Sequence, residues 1–276
     1  MLPFFFRHYD PIVDTYFVAD HGSSDCSPAI LASHPRVVPT EFPCSDSSFV
    51  KSARDHYNEC WKVSRGRADW VIICNIDEHF YHPDLLAYLA KCSSKGITMI
   101  RPIGYNMVGL EFPDPARSLQ SQIRMGARDR FMDKPQLFDP AGIEDIQFTI
   151  GRHSAEPCGR VKWEARPKVK LLHYKYLGEQ YLSERSAQLE ARMKPIDLVQ
   201  AWGGYAATKQ MDTAREKIRS TSRNAVPVYS NLPALVLAPR VVMRLRLEQG
   251  LRFLGRMLHP VGKALVRPFR SQPPIR

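Results

Sequence analysis

Apolar and polar positions follow two rhythms along this chain, and they meet most abruptly in the segment Asp69–His82, DWVIICNIDEHFYH. Val71, Ile72, Ile73 and Cys74 form a continuous apolar run, the pattern of a strand buried on both faces. The run empties into Asn75, Asp77, Glu78 and His79. Thr15–Ala19 is a second strand-like run, β-branched and aromatic, ending in the turn-forming cluster Asp20, His21, Gly22, Ser23, Ser24 and Asp25. Ser24 or Asp25 is placed to cap a helix over Ser27–Ser33, and Arg36–Pro39 reads as a short strand bounded by prolines. From Ser48 to Ser64 the rhythm changes. Phe49, Val50, Ala53, Tyr57, Cys60 and Trp61 recur at helical spacing opposite Lys51, Arg54, Asp55 and Glu59, which predicts an amphipathic helix.

Further along, the pattern predicts a helix over Pro83–Lys91, a strand over Ile97–Pro102 and a loop through Gly104 and Asn106. Glu111–Lys134 decays into charge with scattered Pro and Gly, as a mobile loop over an active face would. Strand-like runs return at Gln136–Phe138, Ile146–Ile150 and Val169–Leu172, and a helical pattern covers Glu179–Met193. Strands alternating with helices predict a layered α/β domain with a mostly parallel central sheet. In such sheets ligands bind beyond the carboxyl ends of the strands, where this chain carries its acids; clustered oxygen ligands there suit a hard divalent cation.

Composition changes this picture in one respect. The net charge of +11 comes from 39 Lys plus Arg against 28 acids, but Ala214 onward holds 13 of the former and two of the latter, leaving 26 of each before it. A neutral domain over residues 1–213 with a basic tail over 214–276 argues against a broad nucleic-acid face. Within the tail, Arg240, Arg244, Arg252 and Arg256 fall on a four-residue spacing between Pro239 and Pro260, with Val241, Leu245, Phe253 and Leu254 among them. This predicts a basic amphipathic helix, a form that can lie on anionic lipid. Six cysteines without a CxxC pair predict reduced thiols and a cytoplasmic setting, peripheral at the inner face of a membrane if the tail binds lipid. No run of about 18 apolar residues is present.

Three segments together, FFFRHYDPIVDTYFVADHGSSDCS, DWVIICNIDEHF and LLHYKYLG, resemble family-2-like glycosyltransferases of the GT-A fold over roughly residues 2–193. The resemblance implies that Asp20 and Asp25 hold the nucleotide, that Asn75 and Asp77 stand in the donor-diphosphate motif, and that Asp77, Glu78 and His173 hold a divalent cation, Mn or Mg. Asn75 replaces the first acid of that motif, which implies weaker metal binding because a neutral carbonyl oxygen takes the place of a carboxylate. His79 stands where the family has an aromatic residue. Family members usually carry a further strand, with an Asn-Glu or Asp-Glu pair, ahead of the helix that FFFRHY resembles. The implied fold is therefore a GT-A-like layer lacking its first strand, with an exposed sheet edge.

The implied activity is transfer of a sugar from a nucleotide-sugar donor to a polysaccharide or lipid-linked acceptor. The base that takes the acceptor proton must be a carboxylate or a histidine, and Glu144, Asp145 and His153 are the candidates. Lys134 and Arg152 are candidates for phosphate contact, although lone basic residues beside strands usually face solvent. Two other readings remain open: a truncated, non-catalytic binding protein, favoured by Asn75 and the missing strand, and a sugar-phosphate nucleotidyltransferase. The last wants a Gly-rich basic loop that is not visible.

Overall fold

Early in the chain the elements fall close to where the periodicity puts them. The structure is a computed structural model that describes residues 1–45, 47–202 and 209–229. Helix α1 (Leu2–Tyr9) starts with a proline in its first turn, where a missing N–H costs nothing, and buries Leu2, Phe4, Phe6 and Tyr9. Strand β1 (Tyr16–Ala19), helix α2 (Ser27–Ser33) and strand β2 (Val37–Thr40) follow. Helix α3 (Phe49–Glu59) is capped by the Ser48 side chain, which accepts from the Lys51 N–H, and runs on as a 3₁₀ turn over Cys60–Ser64. Strand β3 (Val71–Ile72) is shorter than expected, and Val71 and Ile72 are only partly buried. Strand β4 (Glu78–Tyr81) takes up the second half of the acidic motif, Glu78 and His79, and helix α4 (Leu85–Ser94) begins at an Asp84 cap.

Beyond α4 the elements depart from the local periodicity. Ile97–Pro102 contributes only strand β5 (Met99–Ile100), and the expected loop through Gly104 and Asn106 is strand β6 (Ile103–Gly109). Gly104 is required there because a Cβ would collide with the backbone of Met132. Glu111–Lys134 holds helix α5 (Leu119–Gln122) and strand β7 (Met125–Arg128). Strands β8 (Leu137–Phe138), β9 (Ile143–Asp145) and β10 (Cys158–Gly159) are short, β11 (Lys170–Leu177) is long, and helices α6 (Glu179–Glu190) and α7 (Pro195–Val199) follow.

Helix α8 (Met211–Arg223) crosses the expected domain boundary at 213/214. Ala214 and Ile218 pack against Val108, Met125 and Leu182, and strand β12 (Ala225–Pro227) pairs with β7. Residues 1–229 thus form one compact unit. The predicted basic helix between Pro239 and Pro260 lies outside the described residues.

The fold is mixed α/β, and its sheets are not mostly parallel. Among the described residues only β1·β2 and β6·β11 pair in parallel; the remaining ladders are antiparallel. The largest sheet has the order β12-β7-β6-β11-β4, and a smaller one β3-β8-β5. Hydrophobic clusters cover both: Phe80, Leu85, Leu89, Ile100, Leu137 and Leu171 in one, Trp61, Ile73, Met99, Phe138 and Ile146 in another.

Two strand edges stay open. The Tyr16 N–H donates to Arg36 of the β2 side, so alternation turns the polar backbone of Phe17 and Ala19 to the opposite edge. The Ile73 N–H donates to the Gln136 carbonyl, which turns Ile72 and Cys74 away from β8. Neither edge joins a further strand among the described residues, and residues of both line the same large cavity.

Candidate functional site

That cavity, of about 1900 Å³, also receives the polar ends of the strands. Asp20, Ser23 and Asp25 reach it from the turn after β1, Asn75 and Asp77 from the turn between β3 and β4, and His173 and Lys175 from β11. The sequence motifs that lie far apart along the chain therefore face one space.

Asp77 and His173 come together because β4 and β11 are neighbours. In their ladder His173 pairs with Glu78, and the Tyr174 N–H donates to the Asp77 carbonyl. His173 Nε2 stands 3.6 Å from Asp77 Oδ2, too far for a hydrogen bond and close enough to share a ligand. Asn106 Oδ1 lies 2.9 Å from the other ring nitrogen, Nδ1. Asp129, Arg185 and Lys175 line the same wall. Burial lowers the Lys175 ammonium pKa, and the Asp77 carboxylate works against that shift.

Glu78, expected to hold a cation together with Asp77 and His173, is engaged elsewhere. It is fully buried, its Oε1 accepts from Lys134 Nζ at 2.5 Å, and its Oε2 accepts from Arg152 Nη2 at 3.0 Å and from the Asn75 N–H at 3.0 Å. Gln136 Nε2 stands 3.3 Å from the same oxygen. With its oxygens already taken, Glu78 has no capacity left for a cation. Burial pushes its carboxyl pKa up, but Lys134 and then Arg152 outweigh burial and hold it well below the ordinary value. Asp77 lies in the turn before β4 and Glu78 opens the strand, and of these two cavity-lining acids it is Glu78 that Lys134 and Arg152 close in.

Asn75 is likewise engaged, its Oδ1 accepting from Arg152 Nη2 at 3.1 Å and from the Tyr57 hydroxyl at 3.3 Å. Lys134 and Arg152, expected at the surface, are 5% and 2% exposed. Arg152 reaches Glu78 from a tight turn in which Gly151 has φ 72° and Arg152 itself φ 60°, the left-handed region that non-glycine residues rarely occupy. Its guanidinium also stacks 3.9 Å above the Tyr57 ring. Two cations against one carboxylate leave an excess positive charge beside the cavity, which both Lys134 and Arg152 line. Gly151 was the available sequence signal for this turn, but nothing local pairs it with Glu78.

His79, where the resemblance places an aromatic residue, packs as one. It stacks on His8 at 4.5 Å and meets Phe5, Tyr9 and Tyr174 edge-on. Burial and then His8 hold its imidazole pKa well below the usual range, so it is neutral.

The three base candidates separate. His153 lines the cavity, with its ring against Phe131 and Nδ1 2.7 Å from the Phe131 carbonyl. Burial and then Lys134 lower its pKa below 6.5. Glu144 is exposed on β9 and does not line the cavity, and Asp145 borders a different, shallower depression beside Lys62. Asp20 and Asp25 do face the cavity while making turn hydrogen bonds: Asp20 accepts from the Ser23 N–H at 3.0 Å and its hydroxyl at 2.5 Å, and Asp25 from the Ser27 N–H at 2.9 Å.

Among the described residues no three His, Cys, Asp or Glu side chains converge as a metal site, and no helix is long and apolar enough to cross a membrane. The six cysteines are free thiols. No family model and no curated protein matches this chain.

Proposed function

We propose that this protein is a nucleotide-sugar-dependent glycosyltransferase of GT-A-like fold, acting on a polysaccharide or lipid-linked acceptor. One observation supports the reading above others: the turn after β1, the turn before β4 and His173 of β11 all line a single cavity, although residues 20, 77 and 173 are far apart in the chain.

Asp77 and His173 are the two groups suited to hold a divalent cation, Mn or Mg, because a carboxylate oxygen and an imidazole nitrogen face one another without a hydrogen bond. When bound, such an ion would supply positive charge to the leaving diphosphate. The chain adds its own: Lys134 and Arg152 carry one positive charge more than Glu78 neutralises, fixed in place before substrate arrives. Asp20 and Asp25 contact the nucleoside. His153, kept neutral by burial, takes the acceptor hydroxyl proton as the acceptor oxygen bonds to the sugar carbon and the bond to the diphosphate breaks.

The test is transfer or hydrolysis of a panel of UDP- and GDP-sugars with Mn²⁺, together with calorimetry. Turnover that requires the cation supports the reading, and failure of every nucleotide to bind sinks it. A second reading, a non-catalytic GT-A-like binding protein, is favoured by the engagement of both Asn75 and Glu78 with Arg152. Under it, nucleotides bind without turnover and Asp77→Ala leaves partner binding intact. A membrane contact through the basic tail belongs to the same proposal and is tested by flotation with anionic vesicles.

A further inference from the structure

His173 belongs to a row of polar side chains that runs across β11 and β6 and on to the segments flanking β4 and β7. On β11 it stands opposite Asn106 of β6, and Asn106 stands opposite Ala127 of β7, two residues before Asp129. The Asp129 N–H donates to the Gly104 carbonyl at 3.1 Å, which keeps Asp129 against β6 beyond the end of β7. On the other side β4 brings Asp77. Asp77, His173, Asn106 and Asp129 all line the cavity.

Hydrogen bonding fixes the direction of this row. Asp129 Oδ1 accepts from the Phe131 N–H at 2.9 Å, and Oδ2 lies 2.7 Å from Asn106 Nδ2. A carboxylate can only accept, so the Asn106 amide must turn its NH₂ to Asp129; the reverse orientation would set two acceptor oxygens against each other. Asn106 Oδ1 is then the atom 2.9 Å from His173 Nδ1, and Nδ1 must carry a hydrogen to satisfy it. With a single proton on the ring, the lone pair is then on Nε2. That lone pair faces a second acceptor, Asp77 Oδ2, at 3.6 Å. Two acceptors at this separation suit a cation between them.

We propose that Asn106 and Asp129 are positioning residues that lock His173 in the Nδ1–H form, with Nε2 aimed beside Asp77 at a divalent cation. This rests on the cation site proposed above, and it names the residues that orient its nitrogen ligand. Orientation by a hydrogen bond to the second ring nitrogen fixes both tautomer and ring plane, and loss of such a partner typically lowers metal affinity about 10- to 100-fold.

The experiment uses the full chain with ¹⁵N-labelled histidine at alkaline pH without donor, the His173 signals being assigned by difference against His173→Gln. Long-range ¹H–¹⁵N correlation is expected to show the Nδ1–H tautomer, and Asn106→Ala to yield a mixture of tautomers. Mn²⁺ affinity, read by electron paramagnetic resonance, is expected to fall about 10- to 100-fold in Asn106→Ala. The paired exchange Asn106→Asp with Asp129→Asn keeps an acceptor for Nδ1 and a donor between the two positions, and it is expected to restore both tautomer and affinity. An Nε2–H tautomer in the unaltered chain, no Mn²⁺ binding by it, or an unchanged tautomer in Asn106→Ala would each overturn the proposal. A protein that passes these tests yet binds no nucleotide sugar would refute the glycosyltransferase reading alone.

Discussion

Replacing Glu78 with Gln should destabilise the fold far more than a typical single substitution. Glu78 is fully buried with Lys134 at 2.5 Å and Arg152 at 3.0 Å, so the substitution keeps the shape and removes the negative charge that pairs with both buried cations. Breaking a buried pair by removing one partner costs about 3–5 kcal/mol, because the remaining charge stays desolvated and uncompensated. For a unit of this size, at about 2–4 °C per kcal/mol, Tm should fall by roughly 6–20 °C. Urea unfolding and a thermal scan measure both quantities. The pH dependence provides a sharper check. The folded-state pKa of Glu78 lies below its ordinary 4.5, so its contribution is fully present above that value and is lost as pH falls towards the depressed folded one. Glu78→Gln should therefore flatten the acid-side decline in stability below about pH 4.5. A loss under about 1 kcal/mol, the range of an exposed ion pair, with the acid slope unchanged, would refute the reasoning.

Three further outcomes follow from the site and the open edges. Asp77→Ala should abolish cation-dependent donor turnover while leaving Tm within a few degrees of the parent, since its backbone carbonyl still accepts from Tyr174; residual turnover above a tenth of the parent rate would count against its role. With His153 as base, kcat/KM should fall with decreasing pH through a value below 6.5, the direction in which burial and then Lys134 move that imidazole, and His153→Gln should remove that limb. A limb at neutral or higher pH would assign it to another group. In hydrogen exchange, the amides of Phe17, Ala19, Ile72 and Cys74 should exchange faster than that of Ile73, which is bonded to Gln136; equal protection would show those edges paired.

Local periodicity carried much of the early fold. Helix α2 lies at Ser27–Ser33 and strand β1 within Thr15–Ala19 because β-branching and turn chemistry act over a few neighbouring positions, although the N-cap of α2 is Cys26, without a side-chain cap bond, and not Ser24 or Asp25. The same local logic misplaced Asn106 in a loop, since Gly104 looks like a breaker; its reason is the approach of Met132, which is distant in sequence. Strand direction was equally hidden, because a buried apolar run fits parallel and antiparallel ladders alike. So was the last part of the compact unit: Ala214 and Ile218 look like ordinary tail residues until β6 and β7 supply the surface they cover.

For the candidate site, the residues alone pointed to Asp77 and, through the resemblance, to His173. Only the pairing of β4 with β11 brings them to 3.6 Å. The acids at 77 and 78 are consecutive and both line the cavity, yet which of them is paired and closed off depended on where Lys134 and Arg152 return. A buried carboxylate draws cations from wherever the chain closes on it, here from 56 and 74 residues away, because desolvated charge must be paired. Sequence spacing carries no record of that closure.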